Sequence, residues 1–219
     1  MKFSIQTIYQ PIFKIWRKQR FTLFLKVICP KKSDFLLDVG GYPDFWLKYP
    51  QPVARIDTLN LHVHRWCPEK HPNHAINSLI GDGCDMQFPA KAYDIVFSNS
   101  VIEHLSTMNR QRAFATEILR VGKRVWVQTP AYECPVEPHF LAPFIHWLPR
   151  KLQKKVVRYF SVWGLANRPN ADQIAEMVDT TRLLKYHEFC DLFPGCKIVT
   201  ERLWWVFPKS YIAIRTRYA

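Results

Sequence analysis

No run of 18 or more uninterrupted apolar residues occurs in the 219-residue chain, so no helix is expected to cross a membrane. A secretory leader is not expected either. The best N-terminal apolar run, Phe21 to Cys29, is broken by Lys26, and no small-residue cleavage site follows it. The cytoplasm is therefore the expected location, with peripheral attachment to the inner membrane surface left open. No C-x-x-C pair is present: Cys29, Cys67, Cys84, Cys134, Cys190 and Cys196 are scattered. Without a leader, these read as reduced thiols in apolar surroundings rather than as disulfides. The G-x-G-x-x-G fingerprint of nicotinamide-binding oxidoreductases is absent too. Acids are scarce, 18 Asp and Glu against 31 Lys and Arg, for a net charge of +13.

What is present suits one α/β domain with a sizeable core: 48% hydrophobic and 15% aromatic residues. The basic excess is uneven. Residues 1–33 carry eight Lys and Arg with no acid before Asp34, interleaved with aromatics such as Tyr9, Trp16, Phe21 and Phe24. They read as basic, aromatic helices, broken near Pro11, that pack on the domain formed by residues 34–219. Arg150, Lys151, Lys154, Lys155 and Arg158 form a second basic cluster on a predicted helix. Both stretches suit either a wet basic face over a packed aromatic one or a membrane surface.

From Phe35 onward, strands and helices alternate. Phe35–Val39, Val53–Asp57, Ala75–Ile80, Tyr93–Ser98 and Arg124–Gln128 read as buried parallel strands. Pro43 and Asp44 suit the first turn of a helix. Residues 135–160 begin as an irregular excursion rich in Pro and aromatics. Thr181–Phe193 reads as the last helix. Lys197–Phe207 and Ser210–Arg217 read as an antiparallel hairpin turning at Pro208–Lys209. The expected fold is a Rossmann-like α/β, a mostly parallel seven-stranded sheet with helices on both faces and a C-terminal antiparallel hairpin.

In such a sheet, ligands bind beyond the carboxyl ends of the strands. The first strand ends in LLDVGGYPDFW, where Gly40 and Gly41 permit close approach and positive φ, and Asp38 faces the same crevice. The second ends at Asp57, about 20 residues on, a spacing that suits a carboxylate holding ribose hydroxyls; Thr58 follows it. The third ends in GDGCDMQFP, placing Asp82 and Gly83. The fourth ends in SNSVIEHL, placing Asn99, Ser100, Glu103 and His104.

The ordered series LLDVGG, RIDTLNL, GDGCDMQFP, YDIVFSNSVIEHL and ILRVGKRVWVQTP resembles the class I S-adenosylmethionine-dependent methyltransferases, nearest the subgroup with small-molecule and quinone acceptors. The resemblance covers about Phe35 to Pro130. It implies S-adenosylmethionine as cofactor, with Asp38, Gly40 and Gly41 at the methionine end. Asp57 would then hold the ribose, Asp82 and Gly83 the adenine, and Asn99 would border the transferred methyl. One departure stands out: where the family has later glycines, this chain has Tyr42 and Pro43, so the turn must be tighter or its helix must begin earlier.

If the acceptor must lose a proton, His139 and His104 are the candidate bases. His139 lies in the excursion VEPHFLAPFIHWLPR, whose composition suits an apolar or aromatic acceptor, while the basic charge suits an anionic one. No metal site is expected: the run His62, His64, Cys67, His71 and His74 includes Pro68 and Pro72 and reads as a solvated loop. Two other readings stay open. One is methylation of RNA, although SNSV stands where an N-P-P-Y-type motif would serve base-amine chemistry. The other is a non-catalytic scaffold or membrane-associated partner. Oligomeric state is not readable from the sequence.

Overall fold

The computed structural model describes residues 6–62 and 73–216, with side chains from residue 15 onward. One long helix, α1 (Gln6–Ile28), precedes β1 (Phe35–Val39). A short α2 (Pro43–Trp46), β2 (Arg55–Asn60), β3 (Ile76–Ile80) and β4 (Tyr93–Asn99) follow. Then come a 3₁₀ turn (Ile102–His104), α3 (Met108–Val121) and β5 (Gly122–Pro130). The excursion holds a small β6 (Val136–Glu137) and β7 (Ala142–Pro143) pair and a second 3₁₀ turn, Ile145–Trp147. The chain continues through α4 (Arg150–Phe160), α5 (Val162–Asn167), α6 (Ala171–Thr180) and α7 (Tyr186–Leu192). It closes with β8 (Lys197–Leu203) and β9 (Phe207–Arg215).

The seven strands order as β3-β2-β1-β4-β5-β9-β8. β1 to β5 are parallel, and β9 runs antiparallel to both β5 and β8. This is the Rossmann-like sheet expected from the sequence. The strand order reverses between β1 and β4, so the ligand crevice lies above their carboxyl ends.

Alternation along the strands splits the core into two layers. Leu37, Val39, Val96, Val125 and Val127 face α3 and α7, packing on Phe114, Ile118 and Phe189. Leu36, Ile56, Ile95, Phe97 and Trp126 face the other way, onto Phe21, Phe24 and Ile28 of α1 and Trp46 of α2. Burying aromatics such as Phe24 and Trp126 contributes about 2–3 kcal/mol each, which makes α1 a structural layer of the core. A third, smaller cluster joins the excursion to α4 and α6 through Phe140, Ile145, Val157 and Ile174.

Several boundaries depart from the sequence expectation. α1 runs unbroken past Pro11, which lies in its second turn. β2 begins and ends later than expected, extending to Asn60. The last helix is shorter than Thr181–Phe193, because Leu184 forms a parallel bridge with Ala131 instead. The hairpin turns at Trp204–Val206, and Pro208 and Lys209 lie within β9. Pro208 fits there because pairing with β5 begins only at Ser210 and the β8 register already shifts at Glu201/Arg202. Among the described residues Cys29, Cys84, Cys134, Cys190 and Cys196 are free thiols, and no helix is long and apolar enough to cross a membrane.

Arg124 of β5 locks α1 onto the sheet. Its guanidinium donates to the Ile28 and Cys29 carbonyls at the end of α1, at 2.9 and 3.2 Å, and pairs with Asp34 at 2.6 Å. Both side chains are buried, so removing one leaves an uncompensated charge. Arg124→Ala is expected to destabilise the fold by about 3–5 kcal/mol in chemical denaturation. A loss below about 1 kcal/mol would mean that the pair is dispensable.

Candidate active site

The turn after β1 is built around two glycines. Gly40 has φ +80°, and a Cβ there would meet the Val101 side chain at 2.6 Å. A Cβ on Gly41 would meet the Asp38 carboxylate at 1.8 Å, so that carboxylate lies directly beneath the turn. Asp38 Oδ2 accepts from Trp46 Nε1 at 2.7 Å, while its buried Oδ1 has no partner. Burial pushes the Asp38 pKa up to about 7, with the Trp46 bond opposing. Tyr42 is the extended residue before α2 and Pro43 its first helical residue. The helix therefore starts early, which is how the turn dispenses with further glycines.

Asp57 is not where the sequence suggested. Since β2 runs on to Asn60, Asp57 sits inside the strand beside Leu37 of β1. It is buried, accepting from Tyr93 Oη at 2.7 Å and Asn77 Nδ2 at 2.9 Å and pairing with Arg55 at 3.0 Å. Thr58 is fully buried and bonds Asn77 O and Ser78 across the sheet. The polar residue at the carboxyl end is Asn60, whose Nδ2 donates to Gly41 O at 2.8 Å. With Thr58 and Leu59 between them, Asp57 and Asn60 leave the strand end ambiguous by three residues, and the β1 register settles it.

Gly83 packs against Val39 and Phe114 with no room for a Cβ, bringing the turn after β3 against the end of β1. Asp82 receives the Cys84 N–H at 2.9 Å and Arg110 at 2.9 Å. The Cys84 backbone bond, ahead of Arg110, holds its carboxyl below the ordinary value.

Asn99 and Ser100 stand at the end of β4, in a network that sequence reading did not anticipate. Arg20 of α1 donates to Asn99 Oδ1 at 3.1 Å and Gln128 Oε1 at 3.0 Å, and pairs with Glu201 of β8 at 2.6 Å. Ser100 Oγ donates to the same Gln128 oxygen at 3.0 Å, its backbone left-handed at φ 57°. No local motif marks Arg20 or Glu201, which lie 181 residues apart.

The two candidate histidines do meet. The rings of His104 and His139 lie 4.8 Å apart, edge to face. His139 Nδ1 bonds Glu137 Oε1 at 2.6 Å, and the other Glu137 oxygen accepts the Phe140 N–H at 2.5 Å. Burial alone would lower His139, but the Glu137 bond and the charges of Glu137 and Glu103 outweigh it and raise its pKa. His104 is pushed down to about 4, first by burial and then by the His139 charge, so it is neutral at pH 7. Glu103 is buried, receives Thr129 Oγ1 at 3.1 Å and keeps Oε1 unpartnered. Burial raises its pKa to about 7. Ligand atoms of Glu103, His104 and His139 lie within 4.8 Å of one another, an arrangement able to hold a divalent cation that no sequence spacing revealed. Of the histidine-rich run, His64, Cys67 and His71 lie outside the described residues, and His74 Nε2 bonds the Tyr49 carbonyl.

Beside this group lies a cavity of about 360 Å³, lined among others by Tyr132, Glu137, Phe140, Arg150, Arg182 and Lys185. The Arg182 N–H donates to the Glu103 carbonyl at 2.7 Å, so cavity and histidines share a wall. The volume is that of a small-molecule site.

Residues 39–124 match the family model described as a methyltransferase domain. No curated protein matches the chain significantly. Among solved structures, the N-methyltransferase NodS from Bradyrhizobium japonicum is similar, with TM-score 0.55 and 12% identity over 93% of this chain and 95% of that one. Phosphoethanolamine N-methyltransferase 2 from Haemonchus contortus has TM-score 0.56 and 12% identity, over 84% and 38%. A putative Zn-dependent alcohol dehydrogenase from Rhodobacter sphaeroides has TM-score 0.55 and 13% identity, over 90% and 88%. At such identities the likeness is one of fold, which alone does not set the chemistry. The domain match over residues 39–124 and the Rossmann-like fold are together consistent with a class I methyltransferase, a transferase of the EC 2.1.1 kind. The methyl donor of that class is S-adenosylmethionine.

The geometry reassigns the β2 residue at the crevice. Asp57→Ala is expected to cost about 2–3 kcal/mol of stability by stranding Tyr93, Asn77 and Arg55. The folded variant should still bind S-adenosylhomocysteine, whereas Asn60→Ala should bind it more weakly. Calorimetric titration of both variants checks this; the reverse ranking would return the ribose role to Asp57.

Proposed function

We propose that the chain methylates a small-molecule or lipid-like acceptor seated in the cavity beside His139, with the cofactor above the Gly40–Gly41 turn. The observation that carries this reading is the Glu137–His139 pair, whose Glu137 lines the cavity. The turn suits the cofactor because the unpartnered Asp38 Oδ1 lies under a backbone on which a Cβ would collide. Asp38, Gly40 and Gly41 would hold its methionine end, Asn60 its ribose, and Asp82 with Gly83 its adenine. Asn99 and Ser100 would border the methyl. When bound, S-adenosylmethionine supplies a methyl on a sulfonium, ready for in-line displacement.

The protein's main task is then alignment, which contributes on the order of 7–11 kcal/mol in well-oriented reactions. For an acceptor that must lose a proton, His139 is the better base. With Nδ1–H directed at Glu137, its Nε2 is the proton-accepting atom, and Glu137 is a positioning residue. His104, neutral and weakly basic, packs edge to face on the His139 ring. Arg150, Arg182 and Lys185 suit an acceptor carrying negative charge. Turnover insensitive to chelators would favour proton transfer at His139 over a cation held by Glu103, His104 and His139.

Two measurements test this reading. Calorimetry with S-adenosylmethionine should give saturable binding to the wild type and binding at least about tenfold weaker to Gly41→Ala, whose methyl displaces Asp38. No binding to the folded wild type would leave a non-catalytic scaffold. NMR titration should place the His139 pKa above the ordinary value of about 6.5. Glu137→Gln removes the negative partner, so that pKa should fall and the neutral, proton-accepting form should extend to lower pH. An unchanged titration would sink the role given to Glu137.

A further inference from the structure

The β8–β9 hairpin ends in a turn that its sequence disfavours. The Val206 N–H donates to the Leu203 carbonyl at 3.2 Å, and the two central residues, Trp204 and Trp205, have φ of 49° and 65°. Turns with both central residues left-handed are normally Asn-Gly or Asp-Gly, because a bulky side chain strains the backbone there. Here two tryptophans occupy it, 71% and 93% exposed, with Val206 and Phe207 exposed beside them. Neither the core nor the turn accounts for indoles at this position.

The strand register says where the tip points. β5 ends at Pro130, opposite Ser210, so the part of the hairpin before Ser210 extends past the carboxyl edge of the parallel strands. That edge carries the Gly40 turn, the Arg20 network and His139. Phe144 and Trp147 are also exposed, with rings 5.1 Å apart, in the excursion that leaves β5 at this edge.

The surroundings are basic. Glu201 is the sole acid from Lys197 to Ala219, and it is engaged by Arg20, Lys209 and Ser210. α1 contains no acid, and it lies against the hairpin where Lys209 Nζ covers the Trp16 ring at 4.3 Å. Arg17, Lys18 and Arg202 are exposed. Exposed amphipathic indoles at the tip of a hairpin whose one acid is paired, beside a helix with no acid, match the headgroup zone of an anionic bilayer.

We infer that the chain docks on an anionic lipid surface through the Trp204–Trp205 tip and the adjacent basic face of α1. The active-site edge then faces the membrane, where an acceptor carried on a lipid would be presented. The docking inference itself does not depend on the chemistry and is read without turnover.

The test is flotation of the purified chain with phosphatidylcholine vesicles, plain or with one third phosphatidylglycerol, at low and high salt. The wild type should float with the anionic vesicles, less so at high salt, and remain unbound with the neutral ones. Trp204→Asn/Trp205→Gly installs the residues that the turn prefers. It should keep or raise Tm while weakening vesicle binding about tenfold or more. Wild type that stays unbound, or a variant that floats equally well, overturns the inference. So does a concentration-dependent dimer that the double substitution dissolves, since a second copy would then cover the tip.

Discussion

One guanidinium, that of Arg20, joins four elements at the carboxyl edge of the sheet. It reaches from α1 to Asn99 of β4, Gln128 of β5 and Glu201 of β8. Largely shielded from water, these bonds gain from the low local dielectric and would be costly to leave unmade. They fix the side chain of Asn99 and, through Gln128, that of Ser100, the two polar groups at the end of β4. The same contact ties the start of the chain to its final hairpin. The site and the apposition of α1 to β8–β9 therefore rest on one cluster.

Around it, polar groups are treated in two ways. Asp57 and Arg124 are buried with every partner close at hand, and they serve stability. Asp38 and Glu103 are buried with an oxygen left over, and burial raises both toward neutrality. Unsatisfied buried acceptors are costly, so a site that keeps two at one sheet edge is organised for something that binds there. His139 and His104 repeat the contrast, since neighbouring carboxylates raise one while burial lowers the other.

Much of the fold was legible because it is periodic. Continuous apolar runs ending in Gly or Asp gave the parallel strands, and Pro43 gave the start of α2. The crevice side of Asp38, Gly40 and Gly41 followed from the same pattern. Strand ends were harder to read. In RIDTLN both Asp57 and Asn60 are polar residues that follow an apolar one, so both look terminal, and only pairing with β1 decides between them. The Pro208–Lys209 pair resembles a turn, yet two tryptophans make the turn, because ladder hydrogen bonds outweigh local preference.

Sequence alone determined the alternation of strands and helices, the layers that each strand face must bury, the glycine turn, and the surplus of positive charge. These are local or compositional quantities, set by side-chain period and residue type. Tertiary structure decided that Arg20 meets Glu201, that Glu137 turns His139 toward His104 and Glu103, and that Asp57 supports the sheet. It also decided that exposed tryptophans share an edge with the candidate site. Such contacts join residues tens to hundreds of positions apart, and their geometry exists only once strand register and helix packing have fixed the directions of the side chains.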